Sequence, residues 1–308
     1  MIWFNVDDNV PSCLAKHTQH DSLKNIKNFM ESFDAHVDFD FHGVSIDVVK
    51  SHLCKLKTNK ATGYDMLPAK LLKMGSDILC NQICYLLNMS LTTCIFSSYL
   101  KYAEICPVYK KGNNLDVSNY RPVSILPSMS KVFEKEIVNQ VSVYFEQVFS
   151  PYVSGFRQQH SCETVLLRMV ENIKKSVESG KVVCVVLMDL SRAFDCIHYT
   201  LFISKLRAYG LSESACKLFL SYYMDRKQRV KLGNIKSGWE NVYKGAAQGS
   251  LMGPQSYNMF TNDMLFILED DIDIYNYADD NTFVSSGYDY ESVKNKLVHN
   301  INNVISWF

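Results

Sequence analysis

Three aspartates carry the strongest chemical signal in this chain. Asp279 and Asp280 stand side by side in Tyr277-Ala278-Asp279-Asp280, between apolar runs at 272–277 and 282–284. Strand, tight turn, strand is the expected local structure, with Asp279, Asp280 and Asn281 at the turn. Adjacent carboxylates repel each other and attract a cation, although such a pair alone is ordinarily a solvated loop. The third residue, Asp189, ends the continuous apolar run 182–188. That run reads as a central strand covered on both faces. A charge at its end is costly unless it is paired or bound to metal. An N-cap or a structural ion pair is the bland alternative. Asp189 precedes Asp279 by ninety positions, so only the fold can join them. Joined, they make an all-oxygen site of the kind that suits Mg²⁺, which takes few carboxylates and leaves room for substrate phosphates. Two ions held this way stabilise the attacking and leaving oxygens of an in-line phosphoryl displacement.

The elements that must position these groups follow from periodicity and punctuation. Helices are expected over 21–33, from Ser45 to just before Lys57, and over 68–74 with Pro68 near the start. Ser161 can cap a helix through Ser179, with an apolar stripe at Val165, Met169, Ile173 and Val177 and a stop at Gly180. Further helices fit 201–209, closed by Gly210, and 213–224. Strands fit 228–232 and 239–243. A glycine-rich bend at 245–253 leads into a helix opening at Pro254, and a last helix begins near Tyr290. Strands and helices in this mixed order indicate an α+β fold with an antiparallel sheet.

Composition agrees, once charge is read by region. The 308 residues are 47% hydrophobic and 21% charged, which suits a globular chain of one large or two ordinary domains. Formal net charge is zero, yet residues 1–53 hold four Lys and Arg against eight Asp and Glu, and residues 263–308 hold two against nine. The middle therefore holds 26 against 15, a basic centre that suits a phosphate backbone. The ten cysteines include no C-x-x-C pair; Cys80 and Cys84 read as core rather than zinc ligands. No apolar run reaches membrane-spanning length, and the N-terminus lacks the pattern of a signal peptide. An intracellular, reducing location with free thiols is expected.

Six blocks now fall into order. They are Lys60-Ala61-Thr62-Gly63-Tyr64-Asp65; Pro107-Val108-Tyr109-Lys110-Lys111-Gly112 leading to Asn119-Tyr120-Arg121-Pro122-Val123-Ser124; Ser154-Gly155-Phe156-Arg157; Asp189 to Asp195; Gln248-Gly249-Ser250 with Gly253-Pro254; and Tyr277 to Asp280. With them the chain resembles, from about Lys55 onward, the reverse transcriptase domain of a non-LTR (LINE-type) retrotransposon of the jockey or chicken-repeat kind. The resemblance implies a right-hand polymerase fold after a leader at 1–53. Fingers would occupy about 54–180 and 200–244. The palm, with its antiparallel sheet, would occupy about 181–199 and 245–308, and the thumb would be absent or truncated.

The implied activity is RNA-directed DNA polymerisation, with RNA template, a DNA primer or nicked target DNA, and dNTPs as partners. Asp189, Asp279 and Asp280 would be catalytic and would hold two Mg²⁺ ions, with Mn²⁺ as the alternative. Lys110, Arg121, Leu190, Phe194, Gln248 and Tyr277 would face the nucleotide. Arg121 suits bidentate phosphate binding, and Phe194 would lie beneath the sugar and exclude a 2′-hydroxyl. Arg157, Arg226, Lys227, Arg229, Lys231 and Gly249 would contact nucleic acid, although charges such as those at 226–231 also serve as solvated strand edges. A location in the nucleus, the cytoplasm or both is implied.

Some positions depart from the family pattern. Ala247 stands where Pro is usual, Gln255 where Leu is usual, and His198-Tyr199 where Asp-His is usual. A helical pattern is still running at Phe308, which points to a fragment. The competing readings are a catalytically inert nucleic-acid-binding remnant and, last, a carboxylate-metal nuclease.

Overall fold

A computed structural model describes residues 12–31, 38–190, 193–269 and 272–307. In chain order these form α1 (Ser12–Glu31), α2 (Ile46–Cys54), α3 (Ala69–Met74), α4 (Ser76–Thr93), β1 (Tyr102–Tyr109) and β2 (Tyr120–Ile125). There follow α5 (Ser128–Val148), α6 (Cys162–Glu178), β3 (Val182–Asp189), α7 (Tyr199–Ala208), α8 (Glu213–Tyr223) and β4 (Arg226–Leu232). The last elements are β5 (Ile235–Lys236), β6 (Glu240–Val242), α9 (Met252–Thr261), β7 (Ile272–Tyr277), β8 (Asp280–Gly287) and α10 (Tyr290–Trp307). The fold is mixed, with helices and two sheets. The chain divides into two compact units. One takes in the described residues of Met1–His36, Val148–Ser191 and Phe260–Phe308; the other takes in those of Val37–Gln147 and Arg192–Met259.

The first unit is built on a three-stranded antiparallel sheet in the order β3-β8-β7. Val165, Met169 and Ile173 of α6 pack against Val183, Tyr275, Tyr277 and Val284 on the sheet. The apolar stripe read from the sequence is thus the packing face, except that Val177 is exposed. Ser161 caps α6 through a reciprocal capping box with Thr164, and Gly180 closes it at φ +73°.

The apolar run 182–188 does not form a central strand. β3 lies at the edge of the sheet, and Val182, Val185 and Leu187 are exposed, Leu187 by 79%. The centre goes instead to β8, because the tight hairpin keeps β7 beside it while β3 pairs with its free edge. The expected helix at 21–33 is the C-terminal part of the longer α1, and residues 32 and 33 lie outside the described residues.

The second unit carries a five-stranded sheet in the order β2-β1-β4-β5, with β6 also on β4. β1 runs antiparallel to β2 and parallel to β4. Phe145, Phe202, Phe219, Tyr222 and Tyr223, from α5, α7 and α8, are all but fully buried and form its aromatic centre. β1 and β2 escaped the sequence reading because Pro107 and Pro122, which pair in register, interrupt a strand pattern. α9 begins at Met252 rather than Pro254. Pro254 is tolerated there because first-turn N–H groups have no acceptor within the helix.

Candidate active site

In the first unit the β3–β8 ladder runs from Val182 opposite Gly287 to Asp189 opposite Asp280. Directly opposed residues of an antiparallel pair project on one face. The ladder therefore brings together two carboxylates far apart in sequence, and it is Asp280 rather than Asp279 that stands across from Asp189. The same Asp280 pairs with Tyr277 across the hairpin, so the turn proper is Ala278-Asp279 and Asp280 already belongs to β8. Asn281, expected at the turn, lies inside the strand and is buried.

Ala278 has φ +58°, the region that a side chain ordinarily avoids. Surrounding contacts hold it there. Asn276 Nδ2 donates to the Ala278 carbonyl at 3.0 Å and to Asn281 Oδ1 at 2.8 Å, and Asn281 Nδ2 donates to the Asp279 carbonyl at 3.2 Å. From outside the hairpin, Gly155 comes so close that a Cβ there would stand 2.3 Å from the Ala278 nitrogen. Val153 bridges Asn276 nearby. The Ser154-Gly155-Phe156-Arg157 block thus supports the aspartate turn. Arg157 Nη1 donates to the Val153 carbonyl at 2.9 Å, and its guanidinium lies 5.5 Å from the Phe149 ring centre. Sequence reasoning placed Asn281 at the turn but missed Asn276 and the bracing that the two asparagines supply. Their signal was an amide side chain at each end of a hairpin, where it can bond to local backbone.

Partial loss of water, then the charges of Asp279 and Asp189, push the Asp280 carboxyl above the usual carboxylate range. A carboxyl raised on folding binds its proton more tightly in the folded chain. Stability is therefore highest below that range and falls as pH rises from the ordinary value toward the raised one. Asp280→Asn should modestly raise the melting temperature of metal-free protein at neutral pH, and the difference should vanish in acid. Calorimetry across pH checks this; a lower melting temperature at pH 7 would refute it.

The donors fit a divalent cation that keeps part of its coordination sphere for substrate and water. They are all oxygen, sit at one end of a sheet, and are already in mutual repulsion. Among the described residues no group of three or more His, Cys, Asp or Glu side chains is placed to hold an ion by itself. Leu190 follows the strand end, and Tyr277 packs toward α6.

The remaining expected nucleotide contacts lie in the second unit. Lys110 and Arg121 are both exposed on the β1–β2 pair. Arg121 stands opposite Val108, and the Lys110 N–H donates to the Asn119 carbonyl at 2.9 Å, continuing the ladder by one step. Both cations therefore share a face as diagonal neighbours. The same unit stitches the bend at 245–251 to Phe194. Ala246 N–H donates to the Phe194 carbonyl and Gly245 N–H to the Ile197 carbonyl, each at 2.8 Å. Gln248 Nε2 donates to Asp195 Oδ1 at 3.3 Å. Ser124 of β2 donates its N–H to the Gln248 carbonyl at 2.7 Å. Gly249 has φ +118°, and a Cβ there would meet the Ser124 oxygen at 2.8 Å, so glycine is required. The Phe194 ring lies 4.7 Å from that of Tyr257.

The basic run is less free than its sequence implies. Buried Glu104 takes Arg229, Lys231 and Lys236 as partners at 2.5, 3.0 and 3.2 Å. Burial pushes its carboxyl up, but the hydrogen bonds from these three cations prevail and hold it at about 2. Arg229 also covers the Trp239 ring at 4.3 Å, and Lys227 lies over Tyr102. Arg226 is only 4% exposed and stacks on Tyr222, so its charge points into the core.

Comparison with known proteins places the chain. The family model described as reverse transcriptase (RNA-dependent DNA polymerase) matches residues 108–308. The RNA-directed DNA polymerase from mobile element jockey of Drosophila funebris is 30% identical over 246 residues, covering 77% of this chain and 27% of that protein. Its namesake in Drosophila melanogaster is 27% identical over 274 residues, covering 83% of this chain and 29% of that protein. The chain thus spans under a third of the length of these curated relatives.

Proposed function

The chain belongs to the reverse transcriptase (RNA-dependent DNA polymerase) family, and we propose that it is the RNA-directed DNA polymerase module of a non-LTR retrotransposon, adding dNTPs to a primer 3′-hydroxyl. One observation carries the reading: the ladder that sets Asp189 opposite Asp280, beside a strained and braced turn holding Asp279. The primer 3′-hydroxyl attacks the α-phosphorus of the dNTP, and pyrophosphate leaves. Asp189 and Asp279 would hold two divalent cations, Mg²⁺ by the hardness of the donors, with Asp280 in support. When bound, these ions neutralise the triphosphate and the charge that develops on the attacking and leaving oxygens. Lys110 and Arg121, on one face of their hairpin, bind phosphate oxygens. Gly249 admits the nucleotide close to backbone, and Phe194 beneath the sugar selects against a 2′-hydroxyl. Lys227, Arg229 and Lys231 offer a partly neutralised basic strand to template or primer phosphates, recognised by shape rather than sequence. In this reading the β3-β8-β7 sheet belongs to the palm and the β1–β2 hairpin to the fingers.

Primer extension on an RNA template with dNTPs and Mg²⁺ tests the proposal. Short products that require the divalent cation are expected. Folded protein that binds duplex in a salt-dependent way yet never extends it would overturn the reading in favour of an inert remnant. One observation favours that second reading: Gln255, where the family carries Leu, is buried with its Nε2 lacking a hydrogen-bond partner. Such an orphan costs about 1–3 kcal/mol.

A further inference from the structure

The bend at 245–251 carries two of the proposed substrate contacts, Gln248 and Gly249, without regular structure of its own. Its start is tied to the Phe194 segment and its middle to β2 by the backbone bonds already described. Its end is held differently. The Leu251 N–H donates to Glu134 Oε2 at 2.8 Å. Glu134 lies on α5, 117 residues earlier, and is fully buried. Its other oxygen, Oε1, accepts from Ser130 Oγ at 3.1 Å and from the Tyr222 hydroxyl at 3.0 Å. A carboxyl so buried, with three donors converging on it from two helices and the bend, is an expensive way to fill a core. An apolar side chain would fill the space but leave the Leu251 N–H unpaired. We propose that Glu134 is a positioning residue, which fixes the 247–251 bend and with it the Gln248 and Gly249 contacts to the incoming nucleotide.

This inference rests on the polymerase reading. The charge state supports the geometry. Burial pushes the Glu134 carboxyl up, against the opposing pull of Arg226 and of the hydrogen bonds from Leu251, Tyr222 and Ser130. A glutamine amide has the length of Glu134 and keeps one oxygen that can accept from the Leu251 N–H, while its NH2 group turns two donors toward the hydroxyl side. Ser130 and Tyr222 hydroxyls can each reverse from donor to acceptor. Glutamine can therefore replace Glu134, whereas a shorter or apolar side chain cannot reach the Leu251 N–H.

The test uses the 308-residue chain and three variants: Glu134→Gln, Glu134→Asp and Glu134→Met. Steady-state primer extension gives kcat and the dNTP KM, fluorescence anisotropy gives primer–template Kd, and hydrogen–deuterium exchange reports on 245–254. For Glu134→Asp and Glu134→Met the dNTP KM should rise at least about tenfold, with Kd changed less than about twofold and exchange accelerated at the bend. A tenfold change in KM corresponds to about 1.4 kcal/mol, the scale of one hydrogen bond. Glu134→Gln should stay within about threefold of the parent in KM. Glu134→Asp keeps the carboxyl and carries the test if Glu134→Met fails to fold. A parent that extends, beside folded Asp and Met variants with unchanged dNTP KM, would overturn the positioning role and leave the polymerase reading standing. A parent that never extends would remove both.

Discussion

Asp279→Asn should abolish primer extension, by at least about a thousandfold, while leaving the protein folded. That is the scale on which a fixed charged group at a reacting centre contributes. The substitution is nearly isosteric. It leaves the Asp279 carbonyl, which accepts from Asn281, and the strained Ala278 backbone untouched. It also removes one of the two charges that raise the Asp280 carboxyl, so no loss of stability is expected. Cooperative melting at or above the parent temperature with no extension product would isolate the chemical role. Extension at the parent rate would sink the assignment of Asp279, whatever the family.

Gly155→Ala should be nearly as damaging, by a different route. The new methyl would stand 2.3 Å from the Ala278 nitrogen and 2.8 Å from its Cα, and both are backbone atoms. Neither a rotamer change nor a flexible side chain can relieve that clash. Overpacking of this kind typically costs about 1–3 kcal/mol. The cheapest relief is to move the Ala278-Asp279 turn, and a displacement near 1 Å can cost about a hundredfold in rate. A melting temperature a few degrees lower and a roughly hundredfold loss of extension are expected. Gly238→Ala, where an added Cβ meets nothing within 4 Å, is the control. Parent-like extension by a destabilised Gly155→Ala would separate the loop from the chemistry.

The aspartates and the hairpin were legible because carboxylates in apolar runs are unusual, and because turn chemistry is local. Helix α6 was legible from Ser161, its stripe and Gly180 for the same reason. Long-range register was not. Nothing near Asp189 in sequence indicates that it faces Asp280 rather than Asp279, or that a Val-rich strand takes the sheet edge. β1 and β2 were hidden by prolines that edge positions tolerate. The basic run read as free charge because Glu104, which neutralises part of it, lies 125 positions from Arg229. Glu134 and Gly155 matter through single contacts with distant backbone, which no periodicity reveals.

The ladder from Val182–Gly287 to Asp189–Asp280 also has a consequence for how this chain tolerates change. Side chains alternate between faces, so a one-residue slip turns every side chain over. Exchanging one β-branched residue for another along β3 leaves both carboxylates where they are. Deleting a single residue of β3 or β8 other than the two aspartates turns one carboxylate to the opposite face relative to the rest of its strand. In the two strands that carry Asp189 and Asp280, counting matters more than spelling.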